Sequence, residues 1–142
     1  IALFGQKDYQ QAAVVRRLVD DLHLGVGIIV RPTVREKDGL AMSSRNVYLS
    51  PEQRIIATTL YKSLRAGAEA IRKGMADVQA VQSAMAAVIE QEPALMVDYL
   101  VVSDPLTLEP LSSVASRAVL LGAVRLGSVR LIDNLVAAAP RS

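Results

Sequence analysis

An apolar, largely β-branched run, Val26 to Val30, closed by Pro32, is the strongest constraint on how this chain folds. The run has no polar face, so it reads as a strand of a parallel sheet covered on both sides. Ahead of it lie a short apolar strand, Ile1 to Phe4, ended by Gly5, and a stretch from Asp8 to Leu22. In that stretch Ala12, Val15, Leu18, Val19 and Leu22 recur near helical spacing, with Arg16, Arg17, Asp20 and Asp21 off that face. Strand, helix, strand in that order predicts a βαβ unit.

After Asn46 the character changes. Ser50-Pro51-Glu52-Gln53 carries the signals of a helix start: a serine cap, proline in the first turn and glutamine three residues past the cap. The helix is expected to continue through Ile55, Ile56, Leu60, Leu64 and Ile71 to Gly74, with Gly67 a weak point inside it. Asp77 can cap a second helix in which Val78, Val81, Met85, Val88 and Ile89 share a face. Three apolar segments follow, Met96 to Val102, Ala118 to Val124 and Val129 to Leu135, the last two joined through Gly127 as a hairpin. The expected class is α/β: a partial Rossmann-like βαβ segment over residues 1–46, then a small α+β domain over residues 47–142. That domain is a helical hairpin packed on a three-stranded antiparallel sheet.

Composition narrows the chemistry. A 51% hydrophobic chain of 142 residues can bury a core, which argues against disorder. It has no cysteine, so disulfides and thiolate metal sites are excluded, and His23 is its one histidine. With a formal charge of +2, scattered basic residues and few aromatics, nucleic-acid binding has little support. No apolar run reaches the roughly 18 residues of a membrane span, and no leader precedes the first strand. A soluble, cytoplasmic protein is expected. Because the sequence opens on Ile1 inside an apparent strand, a fragment is expected too.

Two segments carry anion chemistry. Gly5-Gln6-Lys7-Asp8 falls where a strand passes into a helix, the place where open α/β sheets hold ligands. Lys7 can neutralise phosphate charge and Asp8 can accept hydrogen bonds from ribose hydroxyls. Equally, Gly5 can simply turn the chain and Asp8 can simply cap the helix. Met42-Ser43-Ser44-Arg45 offers two hydroxyls and a guanidinium after the flexible Gly39. The alternative is a polar loop whose serines bond to their own backbone.

Taken together, Phe4 to Gln11, then Pro32-Thr33-Val34-Arg35, then Asp38 to Asn46 and Tyr48-Leu49, resemble the pantothenate synthetase family, the pantoate–β-alanine ligases. The likeness extends through Arg125-Leu126-Gly127 and Arg130-Leu131-Ile132-Asp133-Asn134. The resemblance implies a nucleotidylyl transferase that condenses D-pantoate with β-alanine, through a pantoyl adenylate, releasing AMP and pyrophosphate. It implies that Gly5, Gln6, Lys7 and Asp8 contact ATP, Lys7 at the phosphates and Asp8 at the ribose. It further implies that Gln11 binds pantoate, that Val34 meets adenine through its backbone, and that Met42, Ser43, Ser44 and Arg45 form the counterpart of the KMSKS loop. That loop lacks the usual lysines here. Mg²⁺ is implied mainly through the ATP phosphates, and a homodimer is implied for the whole enzyme.

The family's HxGH-type motif, a pantoate-contacting glutamine and the acids associated with Mg²⁺ belong to an N-terminal half absent from these residues. His23 does not replace them and reads as structural. Arg31 is expected to face solvent, Arg16 and Arg17 to form a solvated helix face, and Arg125, Arg130 and Asp133 to serve strand and turn pairing. The alternative function is a folded lid or interaction module without chemistry of its own.

Overall fold

The computed structural model describes residues 1–141, in which two sheets are joined by the polar loop after Pro32. Strand β1, Ala2–Gly5, passes through a 3₁₀ turn, Gln6–Asp8, into helix α1, Tyr9–Asp21, and the chain returns as β2, Ile28–Arg31. The two strands pair in parallel, Ala2 opposite Ile28 through to Gly5 opposite Arg31. This is the expected βαβ unit, but its strand begins at Ile28 and is only half buried, because the sheet has two strands and nothing covers its outer side. Leu3, Leu18 and Leu22 are at least half exposed, and in α1 Ala12 alone is buried.

The second part follows its end signals closely. Helix α2, Pro51–Ala57, opens on a capping box in which Ser50 Oγ accepts from the Gln53 N–H and Gln53 Oε1 accepts from the Ser50 N–H. A separate helix, α3, Thr59–Arg72, replaces the single expected one. The Thr58 hydroxyl donates to the Ile55 carbonyl at 2.7 Å, a back-bond that bends the axis where two threonines adjoin. Gly67 is no weak point: a Cβ there would lie 2.7 Å from Met85 Cγ, so the glycine lets α3 and α4, Val78–Ile89, pack closely. Asp77 caps α4 by accepting from the Gln79 N–H.

Strands β3, Leu95–Ser103, β4, Arg117–Leu126, and β5, Val129–Ala138, form an antiparallel meander with β4 in the middle and β5 on an edge. Gly127 takes φ 59° in the two-residue turn between β4 and β5, a conformation cheap only for glycine. Leu64, Ile71, Val81 and Met85 of the helices bury against Val102, Ala118 and Leu120 of the sheet. Each such side chain contributes roughly 1.5–3 kcal/mol. The opposite face of the sheet carries the 3₁₀ turn, so β4 is buried on both sides along most of its length.

An open two-stranded sheet with exposed Leu3 and Ile29 is an association hazard. The chain is expected to self-associate with rising concentration in light scattering, and Ile29→Lys should restore the monomer. A wild-type mass independent of concentration would show that this edge is not sticky.

Candidate nucleotide site

β5 positions both anion-competent segments. Asp133 lies opposite Gly122, whose absent Cβ would meet Leu60 and Leu64, so the Asp133 carboxylate is on the helix-covered face of the sheet. There it takes Arg35 in two contacts, Nη1 to Oδ2 at 2.6 Å and Nη2 to Oδ1 at 2.9 Å. The same guanidinium donates to the carbonyls of Gly39 and Asn134 and stacks 3.9 Å from the centre of the Tyr61 ring. Both terminal nitrogens of Arg35 are thereby committed, and the residue holds the base of the loop. Burial pushes the Asp133 carboxyl above the usual carboxylate range, with Arg35 opposing that shift. Sequence reading assigned Asp133 to strand pairing; its partner instead comes from the far loop.

Asn134, the next residue, points to the other face. Its amide donates to the carbonyls of Gln6 at 2.8 Å and Lys7 at 3.0 Å. Its oxygen accepts from Gln6 Nε2 at 3.3 Å. No sequence signal singled this asparagine out, since its role depends on a contact across more than a hundred residues.

Three cavities meet at Lys7 and Asp8. The main one for this site, smaller at about 340 Å³ than the outer one of about 410 Å³ but in touch with both anion-competent segments, also takes Ser43, Ser44, Arg45, Asn46, Tyr61 and Asp133 in its walls. The outer one adjoins Gly5, Arg31, Thr33, Val34 and Met42. A third, of about 150 Å³, lies between Gln11, Tyr99, Ile132 and Asn134. The structure thus brings together Gly5, Lys7, Asp8, Gln11, Val34, Met42, Ser43, Ser44 and Arg45. Gln6 is the exception: its amide is tied to Asn134 and it borders a separate groove with Tyr9, Arg16 and Arg117.

Local geometry separates the competing readings of these residues. Asp8 occupies the N-cap position of α1 yet makes no side-chain cap bond, so its carboxylate stays available in the cavities. Gly5 has φ −82°, which any residue adopts, and a Cβ there would meet nothing. Its missing side chain leaves the main chain open to close approach. Ser43 Oγ accepts from the Arg45 N–H at 3.2 Å, a local turn bond that still leaves its O–H free to donate. Ser44 and Arg45 are exposed. The Val34 carbonyl accepts from the Met42 N–H at 2.9 Å and keeps a second lone pair. Arg31 is exposed, as expected, although it also edges the outer cavity.

The remaining basic residues sort simply. His23 sits beyond α1 at φ 50°, facing the Asp21 carbonyl and remote from the three cavities. Arg17 pairs with Asp21 on the exposed helix. Arg125 and Arg130, cross-strand neighbours of like charge, share Asp98 at the β3 bulge, as strand pairing predicts. Arg130 additionally reaches the rim of the main cavity.

The whole chain can now be set beside known proteins. A family model described as pantoate–β-alanine ligase matches residues 1–136. The chain belongs to the pantoate–β-alanine ligase family. It is 50% identical over 135 residues to a pantothenate synthetase of Moorella thermoacetica, covering 95% of this chain and 48% of that protein. A Roseiflexus pantothenate synthetase is 52% identical over 138 residues, 97% of this chain and 50% of the relative. The ligase structure from Thermus thermophilus superposes with a TM-score of 0.91 at 48% identity, over 94% of this chain and 48% of that one. A ligase from Francisella tularensis, solved with β-γ ATP and β-alanine, gives a TM-score of 0.62 at 28% identity, over 94% of this chain and 42% of that one. The chain spans about half the length of the curated relatives it matches. Among the described residues no helix is long and apolar enough to cross a membrane.

The loop is also tied to α2 by Asp38, which takes Arg54 in contacts of 2.7 and 3.0 Å. Hydrogen bonding from Arg54 holds the Asp38 carboxyl below its usual value. A depressed carboxyl stabilises the folded loop at pH above its unfolded value of about 3.9, and that contribution disappears as the pH falls through the lower folded value. Amide protection of residues 35–41 is expected to drop on that acid limb, and Asp38→Asn should remove this pH dependence while lowering protection at neutral pH. An unchanged acid limb in the variant would assign the effect to another group.

Proposed function

We propose that these residues supply the phosphate-facing part of a ligase site in a full-length protein that joins D-pantoate to β-alanine with ATP. The observation that carries the reading is the meeting of three cavities at Lys7 and Asp8, with Asp8 leaving its own helix uncapped. A side chain that forgoes a cap gives up about 1 kcal/mol of local stability. Ligand binding accounts for that sacrifice; turn formation does not.

In the first step a pantoate carboxylate oxygen bonds to the α-phosphorus of ATP while the bond to the pyrophosphate oxygen breaks. In the second, the β-alanine amine bonds to the acyl carbon, AMP leaves with the acyl–oxygen electron pair, and the amine loses a proton. A carboxylate is already nucleophilic, so the first step chiefly needs positioning and charge stabilisation. Lys7 and Arg45 supply cations, Ser43 and Ser44 hydroxyl donors. Asp8 receives the ribose hydroxyls, and the backbone at Gly5, Val34 and Met42 borders the base. Gln11, in the small cavity beyond Lys7, takes pantoate. That volume of about 150 Å³ suits a small acid and not a nucleotide.

Among the described residues no group of three or more histidines, cysteines and carboxylates clusters. Asp133, the second acid of the main cavity, is committed to Arg35. On this reading Mg²⁺ is held mainly through the triphosphate, as part of the substrate. The same reading divides the chain into a nucleotide-binding part, residues 1–46, and a lid, residues 47–142. It places the full-length homodimer in the cytoplasm. The histidine motif implied by the family would come from residues outside this sequence, whose one histidine is His23. The chain alone should consequently form no pantothenate, and turnover at the full-length rate would overturn the half-site reading.

In the full-length protein, Lys7→Ala is expected to slow pantoate-dependent ATP–pyrophosphate exchange by about 10²–10³-fold with little change in melting temperature. Gln11→Ala should raise the KM for pantoate roughly tenfold and leave ATP affinity near normal. Exchange kinetics with each substrate varied in turn, beside thermal melts, checks both. Parallel losses of activity and melting temperature would make Lys7 structural and favour a lid module without chemistry.

A further inference from the structure

We propose that Asp133 and Asn134 are positioning residues for adenylation, forming a strap on the edge strand that fixes the spacing between the Lys7–Asp8 turn and the Ser43–Arg45 loop. The inference rests on the ligase reading above and adds to it the element that sets its geometry. Successive residues of a strand are about 3.3 Å apart and point to opposite faces. On one face Asn134 uses its amide on two consecutive carbonyls of the turn, Gln6 and Lys7, and Gln6 returns a bond to its oxygen. On the other, Asp133 grips Arg35 at the base of the loop, and its Oδ1 is fixed in turn by the Asn134 N–H at 2.8 Å. Both side chains are almost fully buried, at 5% and 1% exposure, so the strap excludes the water that would loosen it.

Neither residue is placed to bind phosphate. The Asp133 carboxylate repels anions and is taken up by Arg35, and the Asn134 amide is spent on main chain. Nor can Arg35 act as a phosphate ligand while it spans Asp133, Gly39 and Asn134. What the pair controls is where Lys7 stands relative to Ser43 and Ser44 across the main cavity. A displacement near 1 Å can cost about 10² in rate when two groups must meet one reacting centre. The triphosphate bridges both segments only until pyrophosphate departs. The second step, amine on acyl carbon, no longer needs that bridge.

The test uses the full-length protein with Asn134→Asp, which keeps the shape but loses the donors, and with Asp133→Asn, which keeps the shape but loses the charge. Pantoate-dependent ATP–pyrophosphate exchange reports the first step, and supplied pantoyl adenylate with β-alanine reports the second. Exchange is expected to fall about 10²-fold in kcat with the KM for pantoate nearly constant, while aminolysis changes by less than about threefold. Should one variant not fold, the ratio of the two half-reactions in the other decides. Equal losses in both half-reactions, or exchange equal to the parent, would overturn the strap. A parent without exchange activity would instead overturn the ligase reading itself.

Discussion

The desolvated pair between Arg35 and Asp133 is the contact on which the site's architecture rests. Its burial, with the Asp133 side chain only 3% exposed, sets it apart from the other ion pairs, including Arg54–Asp38, which shares its two-contact geometry. Arg17–Asp21 and Lys73–Glu69 are more than half exposed, and solvent screening leaves them little weight in stability. Removing one partner of a buried pair costs about 3–5 kcal/mol, because the other charge is left without water or counter-ion. Replacing both by apolar groups would cost far less. The pair is thus a device for specifying where the loop goes, and its net contribution to stability is secondary.

That specification spreads through neighbours that each accept a constraint for it. Gly39 takes φ 95° and lies against the Tyr61 ring, where any Cβ would collide. Gly122 gives up its side chain so that Leu60 and Leu100 can close over the sheet beside Asp133. These glycines do different work from Gly5, whose φ is ordinary and whose Cβ position is empty. Two of the three are demanded by the protein's own packing. The third is demanded by neither backbone conformation nor packing.

Local signals in the sequence carried most of the architecture. The Ser50 capping box, the Asp77 cap and the Gly127 turn each depend on residues within four positions of one another, and each stands where expected. Long-range consequences were harder to see. Nothing in the spacing of Ile55 to Leu64 announces that the Thr58 hydroxyl bends the helix, and Gly67 looks destabilising until Met85 is known to lie against it. The apolar residues of α1 and β2 read as buried because pattern reports amphipathicity and not whether a partner is present. The candidate segments stood out in the sequence because phosphate chemistry restricts residue type. The strap beneath them was missed because Asp and Asn in a strand look the same whether they face water or hold a loop.

The loop joins a fixed base to a free tip, and that contrast follows from its bonding. Its base is closed by the Arg35–Ala41 bridge, by Glu36 and Leu40 main-chain bonding, by Arg35 on Asp133 and by Asp38 on Arg54. Beyond Ala41 the ties are local: the Met42 N–H on the Val34 carbonyl, the Asn46 amide on the Ala41 carbonyl, the Ser43 turn bond and a short 3₁₀ helix, Ser44–Tyr48. Met42, Ser44 and Arg45 stand exposed at that tip. A loop free throughout would lose roughly 1–2 kcal/mol per residue in ordering on each ligand, which a few charge-assisted hydrogen bonds barely offset. Fixing the base during folding leaves only the exposed tip to adjust on binding. Under the proposed ligase reading, more of the tip's contact energy is then left for the charge that develops on phosphate, although Met42 to Arg45 carries no lysine.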